Sequence, residues 1–340
     1  MNITIVFNYC NNLKRLLYRV VNKNIIVTGG AGYIGSHACK ALHQAGYNPI
    51  TIDNLSHGFA SLVKWGALEQ GDICDSEWAA NILREYSPLA VMHFAGLINV
   101  AESVANPKLY MRNNVEGTLS LLAAMKQENI NNLIFSSSCA VHGNIAQASI
   151  TEESPCNPIN PYGKSKSLAE QAIEKSGLNA VILRYFNAAG ADAEGETGEM
   201  HNPETHLIPL AIDAAIHGKS FSVFGNDYDT EDGTAIRDYI HVSDIASAHL
   251  LALAHLINNS GLYTVNIGTG KGISVTEVIS AIEKIMGLPI NKIYCERRAG
   301  DPPILIANND RAKKLLGFTP THSSIENIIK TAWKWQLKTD

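Results

Sequence analysis

The stretch that decides the fold is NIIVTGGAGYIG, residues 24–35. Its first half is apolar and rich in isoleucine and valine, which predicts a buried strand, and the helical spacing of apolar residues after it predicts a helix. The turn between them carries Gly29, Gly32 and Gly35, or a second set in which Gly30 replaces Gly29. Glycines there let the backbone approach a pyrophosphate, and the helix N-terminus attracts negative charge. This order predicts a dinucleotide site.

The second predicted strand indicates which dinucleotide is bound. Residues 48–53 have the sequence NPITID, so Asp53 stands at the carboxyl end of that strand. A carboxylate there accepts hydrogen bonds from the adenosine ribose and repels a 2′-phosphate, which favours NAD over NADP. Asp53 has an alternative role as a turn residue before Asn54. Because the glycine turn precedes it, we favour cofactor contact.

The rest of the chain alternates apolar runs with segments of helical periodicity. This pattern predicts an α/β fold with a Rossmann-type, doubly wound parallel sheet and a smaller, mixed α/β C-terminal lobe. We predict an N-terminal extension at 1–22 and an NAD-binding domain at 23–190, to which 237–268 return. The second lobe is then formed by 191–236 and 269–340. A loop at 188–206 rich in Gly, Glu and Asn has the length of a functional loop.

Two further strands end in residues that suit the same cofactor. Asp72 closes one of them, and Phe94, Ala95 and Gly96 follow the other. Ligands bind at the carboxyl ends of the strands in open α/β sheets, and small residues leave room there for adenine or ribose. Packing alone would also explain Phe94, Ala95 and Gly96.

A tyrosine and a lysine stand four residues apart in NPYGKSK, residues 160–166. In a helix, which we predict from Tyr162 to Lys175, side chains at this spacing share one face, so the phenol of Tyr162 and the cation of Lys166 touch. Taken alone, such a pair is more often an ordinary, solvated start of a helix. Its weight depends on the other motifs of the chain.

The overall composition excludes several classes of protein. The chain has 340 residues, of which 46% are hydrophobic and 17% are charged, as is typical of a globular enzyme. Its formal net charge is -5 and no basic block is present, so we expect no nucleic-acid partner. No apolar run approaches the roughly 20 residues that span a membrane, so we expect no membrane partner.

The metal-binding residue types do not suggest a metal site. Six cysteines are scattered without a C-x-x-C pair, which argues against a disulfide framework and a zinc site and favours a cytoplasmic location. His201 and His206 bracket a loop that contains proline, and we interpret their spacing as chance. We therefore expect no metal ion.

A series of motifs resembles the extended short-chain dehydrogenase/reductases, and most closely the UDP-glucose 4-epimerase family. The motifs are TGGAGYIGSH, GDI, HFAG, NNVEGT, FSSS, NPYGKSK, LRYFNAAG, FGNDYDTEDGTAIRDYIHV and RRAGDPP, and they cover almost everything after residue 22. The resemblance implies an isomerase that interconverts UDP-glucose and UDP-galactose through a transient 4-keto sugar, with a tightly held NAD. It also implies a homodimer, formed through helices near residues 112–126 and 162–175.

The resemblance assigns a role to each matching residue. Tyr162 is the base that takes the proton of the sugar 4-hydroxyl, Lys166 lowers the pKa of Tyr162 from about 10 and bonds the nicotinamide ribose, and Ser138 relays the proton. Implied cofactor contacts are Gly29, Gly32, Tyr33, Ile34, Gly35, Asp53, Asn54, Asp72, Ile73, Phe94, Ala95, Gly96, Asn113, Tyr162, Lys166 and Tyr185. Implied substrate contacts are Ser138, Asn187, Leu207, Phe224, Arg237, Arg298 and Asp301.

Four positions depart from the family pattern. Ile98 stands where many members have lysine, His142 replaces a tyrosine, and His206 stands where some members carry asparagine. Leu305 occupies a position that lines the hexose pocket in the family. Its bulk leads us to expect a preference for UDP-glucose and UDP-galactose over N-acetylated sugars.

Other functions are weighed against this one. A 4,6-dehydratase is disfavoured because Cys139 and Ala140 follow Ser138 where dehydratases carry an Asp-Glu pair. A 4-epimerase of UDP-glucuronate, UDP-xylose or a UDP-N-acetylhexosamine stays open, since few side chains distinguish these sugars. A non-catalytic NAD-binding redox sensor is the alternative from another class, but such proteins typically lack the tyrosine and lysine.

Overall fold

The computed structural model describes residues 22–145, 149–298 and 301–339. The predicted N-terminal extension at 1–22 lies, apart from residue 22, outside the described residues. None of the helices in the described ranges combines the length and apolar character needed to cross a bilayer.

The described chain is built around a seven-stranded sheet. The strands are β1 Asn24–Thr28, β2 Asn48–Asp53, β3 Ala67–Gln70, β4 Ala90–His93, β5 Asn132–Ser138, β6 Asn179–Tyr185, β7 Asn187–Ala189, β8 Ser220–Phe224, β9 Ile236–Arg237, β10 Tyr239–His241, β11 Leu262–Ile267, β12 Ile273–Ser274, β13 Asn291–Cys295 and β14 Ile304–Leu305. The sheet has the order β11-β6-β5-β4-β1-β2-β3, and its strand pairs are parallel. This is the doubly wound order of a dinucleotide-binding fold with one strand added, so the predicted fold class is confirmed.

Helices cover both faces of this sheet. They are α1 Tyr33–Gln44, α2 Ser76–Tyr86, α3 Val100–Ala105, α4 Pro107–Tyr110, α5 Gly117–Gln127, α6 Pro161–Ser176, α7 Leu207–His217, α8 Val242–Asn258, α9 Val275–Met286 and α10 Ile325–Thr339. Short 3-10 helices lie at Ala60–Leu62 and Cys139–Val141, and π-helical turns at Met111–Glu116 and Ala312–Leu316.

The sheet separates two apolar cores because successive strand residues point to opposite faces. On one face, Val27 of β1 packs with Leu42 of α1 and Leu253 of α8. On the other face, Ile26 packs in a second cluster with residues of α2, α5 and α6. All of these side chains are buried, so their burial fixes the register of the sheet.

The segment 237–268 reaches the sheet from beyond the first lobe. It supplies β11, which pairs with β6 from Leu262 opposite Ala180 to Ile267 opposite Tyr185. It also supplies α8, which shares an apolar cluster with α1. A separate cluster joins α7, α9 and α10 in the later part of the chain. The division of the chain into two lobes stays a prediction.

Local sequence features explain where the helix that carries Tyr162 and Lys166 begins and ends. Asn160 caps its N-terminus, since the side-chain oxygen accepts a hydrogen bond from the Gly163 amide at 2.8 Å. Pro161 occupies the first helical position, where its fixed φ suits the helix. Gly177 ends the helix with a φ of 78°. The helix therefore begins one residue before the predicted start.

Some elements differ from the sequence prediction. The helix expected near residues 112–126 is preceded by α4, which begins at Pro107, and it contains the π-helical turn at Met111–Glu116 before α5. A π turn needs extra residues per turn, which a 3.6-residue periodicity does not reveal. The helix α7 and the short parallel pair β8 and β13 were not predicted, because both lie in the later, irregular part of the chain.

Candidate active site

One large cleft collects the residues that the sequence singled out. It has a volume of about 1710 Å³, more than the 300–1,000 Å³ typical of a pocket for one small ligand. Its lining includes every residue implied as a cofactor or substrate contact, as well as Ile98, His206 and Leu305. The cleft follows the carboxyl ends of β1, β2, β4, β5 and β6, where ligands of doubly wound sheets bind.

The glycine turn closes one end of this cleft. Gly29 has a φ of 71°, and a Cβ there would lie 2.6 Å from the Ala95 amide nitrogen. A Cβ on Gly35 would lie only 2.2 Å from the Gly29 carbonyl oxygen. Side chains are therefore excluded at both positions, which leaves the backbone and the start of α1 open to a pyrophosphate.

Two carboxylates stand beyond the glycine turn. Asp53 ends β2 and is largely buried, accepting hydrogen bonds from the amides of Ala31 at 3.1 Å and Leu55 at 2.9 Å. Burial raises its pKa, while these hydrogen bonds oppose the rise. Asp72 accepts hydrogen bonds from the Cys74 amide at 2.9 Å and from the Asn54 side chain at 3.4 Å. The hydrogen bonds outweigh its partial burial and lower its pKa, which keeps it an ionised acceptor.

The predicted catalytic residues come from two neighbouring elements. Ser138 ends β5, while Tyr162 and Lys166 lie one turn apart on α6. The Ser138 hydroxyl lies close enough to the Tyr162 phenol to affect its pKa. Lys166 is buried, and its Nζ donates a hydrogen bond to the Ser136 carbonyl oxygen at 2.8 Å and lies 5.1 Å from the centre of the Phe135 ring. The three side chains therefore face one part of the cleft.

The pKa of Tyr162 differs from the value expected for a base. Burial raises the pKa to about 12, the nearby Ser138 side chain opposes this rise, and Cys139 adds to it. Burial also lowers the pKa of Lys166 to about 8, against the attraction of Glu170. Burial, and not Lys166, dominates the Tyr162 pKa here, and the Lys166 ammonium group donates to the Ser136 carbonyl. The expected lowering by a stacked lysine is therefore not what the chain alone shows.

A buried ion pair, which the sequence analysis missed, holds α6 against the sheet. Glu170 follows Lys166 by one turn, and its carboxylate accepts hydrogen bonds from Arg184 of β6 at 3.0 Å and 2.7 Å. It also accepts a hydrogen bond from the Ser137 hydroxyl at 2.5 Å. These bonds set the position of Tyr162 relative to Ser138. The spacing of 162, 166 and 170 by four was the available signal.

A second positioning contact involves a neighbour of an expected cofactor residue. Asn113 lines the cleft, whereas Asn114 is buried and brackets Leu97, with its amide donating to the Leu97 carbonyl at 3.0 Å and its oxygen accepting from the Leu97 amide at 2.8 Å. Asn114 also donates to Ser165 of α6 at 2.9 Å. It thus ties the turn after β4 to the helix of Tyr162.

Two aromatic residues implied as cofactor contacts are fixed by hydrogen bonds. The Tyr33 hydroxyl donates to the Gly190 carbonyl oxygen, and the Tyr185 hydroxyl bonds His249 at 2.6 Å. Burial raises the pKa of both phenols. Both therefore serve as neutral walls of the cleft.

The far end of the cleft carries the positive charge. Arg237 of β9 is buried and forms an ion pair with Asp301, and it donates to the Ile236 carbonyl at 2.8 Å. Arg298 is exposed, and its guanidinium carbon lies 4.1 Å from the centre of the Phe224 ring. Two guanidinium groups beside an aromatic face suit a diphosphate next to a base.

The remaining predicted contacts complete this end. Asn187 starts β7, and its amide donates to the Asp238 carbonyl at 3.3 Å. Leu207 is the first residue of α7, and Leu305 lies on β14 beside Arg237 of β9. Together they bound the space between the arginines and Ser138.

Of the positions that depart from the family pattern, His142 has a packing role. It is fully buried, contacts the Pro155 carbonyl at 3.2 Å and lies 3.4 Å from an Arg184 nitrogen. Ile98 is partly exposed at the cleft and supplies no charge. His206 lies in a cluster with Glu199, so its side chain has a partner within the protein.

The residues present fit an NAD molecule. The glycine turn and α1 N-terminus offer amides for the pyrophosphate, Asp53 offers acceptors for a ribose, and Gly96 lines the cleft without a side chain. A Cβ on Gly96 would lie 3.5 Å from the Lys166 Nζ, so cofactor atoms at this point reach the lysine.

Known proteins share this architecture and sequence. A model of the NAD dependent epimerase/dehydratase family matches residues 25–268. The UDP-glucose 4-epimerase of Rhizobium meliloti (strain 1021) is 50% identical over 322 residues, which cover 93% of this chain and 98% of that protein. A crystal structure of UDP-glucose 4-epimerase from Brucella ovis in complex with NAD has a TM-score of 0.90 and 48% identity, covering 92% of this chain and 98% of that one. A UDP-glucose-4-epimerase from Stenotrophomonas maltophila, with bound NAD and formylated UDP-arabinopyranose, has a TM-score of 0.91 and 38% identity, covering 93% and 98%.

Proposed function

The chain belongs to the NAD dependent epimerase/dehydratase family, and from this premise we propose that it is an isomerase that interconverts UDP-glucose and UDP-galactose by 4-epimerisation. The carrying observation is the convergence of Ser138, Tyr162 and Lys166 at the middle of one cleft, with the glycine turn at one end and two arginines at the other. The cleft volume has room for a dinucleotide and a nucleotide sugar together.

The chain positions the sugar for loss and return of hydrogen at C4. NAD, when bound, supplies reversible hydride transfer. Tyr162 removes the proton of the 4-hydroxyl. Ser138 hydrogen-bonds the oxygen of this hydroxyl and relays the proton between it and Tyr162. A 4-keto sugar results. When it presents its other face, Tyr162 returns the proton and the opposite epimer forms.

The pKa of Tyr162 has to fall when the cofactor binds if this residue is to act as a base. With a pKa raised by burial to about 12, the phenol is neutral near pH 7 and is a weak base. A positive nicotinamide ring in the same buried space favours phenolate. Lys166 can turn from the Ser136 carbonyl toward a ribose hydroxyl. Its positive charge then also favours the phenolate form of Tyr162. The lowered pKa of Tyr162 is thus a property of the complex.

The arginines at the far end hold the part of the substrate that does not react. Arg237 and Arg298 bind the diphosphate, Phe224 packs against uracil, and Asp301 accepts a hydrogen bond from the uridine ribose. Asn187 and Leu207 border the same nucleotide. Because the diphosphate stays anchored there, the keto sugar alone has to rotate between its two faces.

The wall of the cleft beside Arg237 favours a hexose without an N-acetyl group. Leu305 faces the cleft from β14, and its bulk leaves less space than a smaller residue would for an N-acetyl group. The sugar alternatives are a UDP-glucuronate, UDP-xylose or UDP-N-acetylhexosamine 4-epimerase. One observation favours the pentose alternative, UDP-xylose: the Stenotrophomonas maltophila relative was crystallised with formylated UDP-arabinopyranose, which also carries a pentose.

Assembly and location complete the proposal. We propose a homodimer through the helices near residues 112–126 and 162–175, supported by the exposed Leu119 on α5 and Leu109 on α4. We propose a cytoplasmic location, supported by five free cysteines in the described chain.

The test uses purified full-length protein with no cofactor added. It is incubated with UDP-galactose, UDP-glucose formation is followed, and the protein is denatured afterwards to measure released NAD. We expect turnover together with about one NAD per chain. Retained NAD with turnover of UDP-xylose or UDP-glucuronate alone would replace the substrate. Retained NAD with no turnover of any of these sugars would favour the redox sensor.

A further inference from the structure

A cluster of histidines and glutamates lies at the border of the cleft. Glu199, His201, Glu204 and His206 each offer one potential ligand atom, and these atoms lie within 4.8 Å of one another. All four come from eight consecutive residues in the irregular segment before α7. The proposed epimerisation uses none of the four side chains.

The distances within the cluster match a small metal site. The His201 Nδ1 lies 2.9 Å from Glu199 Oε1 and 3.8 Å from Glu204 Oε1, and the His206 Nδ1 lies 3.7 Å from Glu204 Oε1. His206 also contacts Glu199 directly. Ligand atoms about 2.0–2.2 Å from a tetrahedral zinc ion are roughly 3.4 Å apart. Small adjustments of rotamers would therefore open the centre of the cluster to an ion.

Neighbouring groups hold the ligands in place. The Glu199 side chain is only 7% exposed, and its backbone carbonyl accepts a hydrogen bond from the Trp335 ring nitrogen at 2.8 Å. The Glu204 carboxylate accepts hydrogen bonds from the amides of Thr205 at 2.7 Å and His206 at 2.8 Å. Such supporting contacts orient ligands before a metal binds.

We propose that Glu199, His201, Glu204 and His206 form a zinc-binding site. Two imidazole nitrogens and two carboxylate oxygens are a ligand set that zinc accepts, and their charges leave a bound Zn²⁺ neutral overall. Four protein ligands close the coordination sphere, so the ion has a structural role and activates no water. This departs from the expectation of no metal drawn from the sequence.

A zinc ion at this site would affect the cleft, because the site adjoins residues that line it. His206 directly precedes Leu207, which begins α7 and lines the cleft. His201 also packs edge-on against the Tyr33 ring, with their centres 6.3 Å apart. Zinc would therefore fix the segment between the glycine turn and the nucleotide end. The effect on nucleotide binding rests on the proposed function, whereas zinc binding itself does not.

The test measures zinc in the NAD-loaded full chain without any sugar. Protein is treated with a chelator, exposed to Zn²⁺, dialysed and analysed for metal. We expect about one zinc ion per chain, and a loss of at least tenfold in His206→Asn and in Glu204→Gln. The control is His43→Asn, an exposed residue at the end of α1, which keeps the wild-type zinc content. Retained NAD shows that a variant is folded.

X-ray absorption of the zinc-loaded wild type makes the result independent of the variants. Two imidazole ligands with oxygen ligands are expected, whereas sulfur ligands would place the ion on cysteines and overturn the site. No zinc beyond background in the wild type, or equal zinc in His206→Asn and His43→Asn, would overturn it too. Since no sugar is present, either result leaves the epimerase test unaffected.

Discussion

The two ends of the cleft are built in different ways. The cofactor end is formed by the carboxyl ends of neighbouring strands within the first 185 residues, and backbone atoms and the largely buried Asp53 line it. The nucleotide end brings together segments far apart in sequence, from Asn187 to Leu305, and its charge comes from arginine side chains, of which Arg298 is exposed. Changes at the first end therefore affect folding and cofactor retention, and changes at the second affect substrate affinity and choice.

The largest effect is expected at the glycine turn. In Gly35→Ala, the new Cβ meets the Gly29 carbonyl at 2.2 Å, and overpacking of this kind costs about 1–3 kcal/mol. We expect the purified variant to contain no NAD and to unfold at a lower temperature. Gln44→Ala, at the exposed end of the same helix, serves as control. Normal NAD content in Gly35→Ala would show that the turn does not approach the cofactor.

The ion pair beneath α6 is expected to have the next largest effect on function, although breaking it lowers the free energy of unfolding more than the glycine substitution does. Glu170→Gln leaves Arg184 buried without its counter-charge, and the loss of one partner of a buried pair costs about 3–5 kcal/mol. We expect kcat to fall at least tenfold while the KM for UDP-galactose changes little, because Tyr162 shifts relative to Ser138.

The double variant Glu170→Gln, Arg184→Gln separates positioning from simple loss of stability. When both charges are removed, no buried arginine is left without its counter-charge, so stability is expected to recover in part. If kcat recovered fully as well, the pair would have no positioning role.

At the nucleotide end, smaller effects are expected. Arg298→Ala removes a charged partner of the diphosphate, and hydrogen bonds to charged groups are worth about 1.5–3 kcal/mol, which corresponds to a KM raised roughly 10- to 100-fold. NAD content stays unchanged. Arg297→Ala is the matched control, since Arg297 also stacks on an aromatic ring, that of Tyr228 at 4.4 Å, but does not line the cleft. Equal KM changes in both variants would contradict the assignment of Arg298.

The smallest effect concerns the choice of sugar. Leu305→Ala enlarges the hexose wall, so turnover of UDP-N-acetylgalactosamine is expected to rise several-fold while that of UDP-galactose changes less than about threefold. Ile304→Ala, one residue earlier on β14 and outside the cleft lining, should leave the ratio unchanged. Wild-type protein that turns over both sugars equally would remove the proposed role of Leu305.

The contrast between the two ends of the cleft also explains how much of the fold and of the site the sequence alone can predict. The sheet, the glycine turn and the helix of Tyr162 follow from local patterns of apolar residues, glycines and caps, and the structure has them. Glu170 with Arg184, and Asn114 with Leu97, were missed because each pair depends on contacts between distant segments. A periodicity cannot show such contacts.

Two other features depend on three-dimensional surroundings. The pKa of Tyr162 is raised because burial outweighs local charge, and burial of a side chain is not visible in a spacing of four. The spacing of His201 and His206 was interpreted as chance because they bracket a loop that contains proline, yet the fold of that segment brings both to Glu199. Irregular loops are therefore where the sequence is least informative about sites.

The most direct test of the account is Tyr162→Phe, with turnover and bound NAD measured on the same sample. Removing the base is expected to lower kcat by about 10²- to 10⁴-fold, while the NAD content stays at the wild-type level. Tyr294→Phe is the control, as its side chain is exposed and outside the cleft lining. Undiminished turnover of UDP-galactose in Tyr162→Phe would contradict the assignment of this residue as the base.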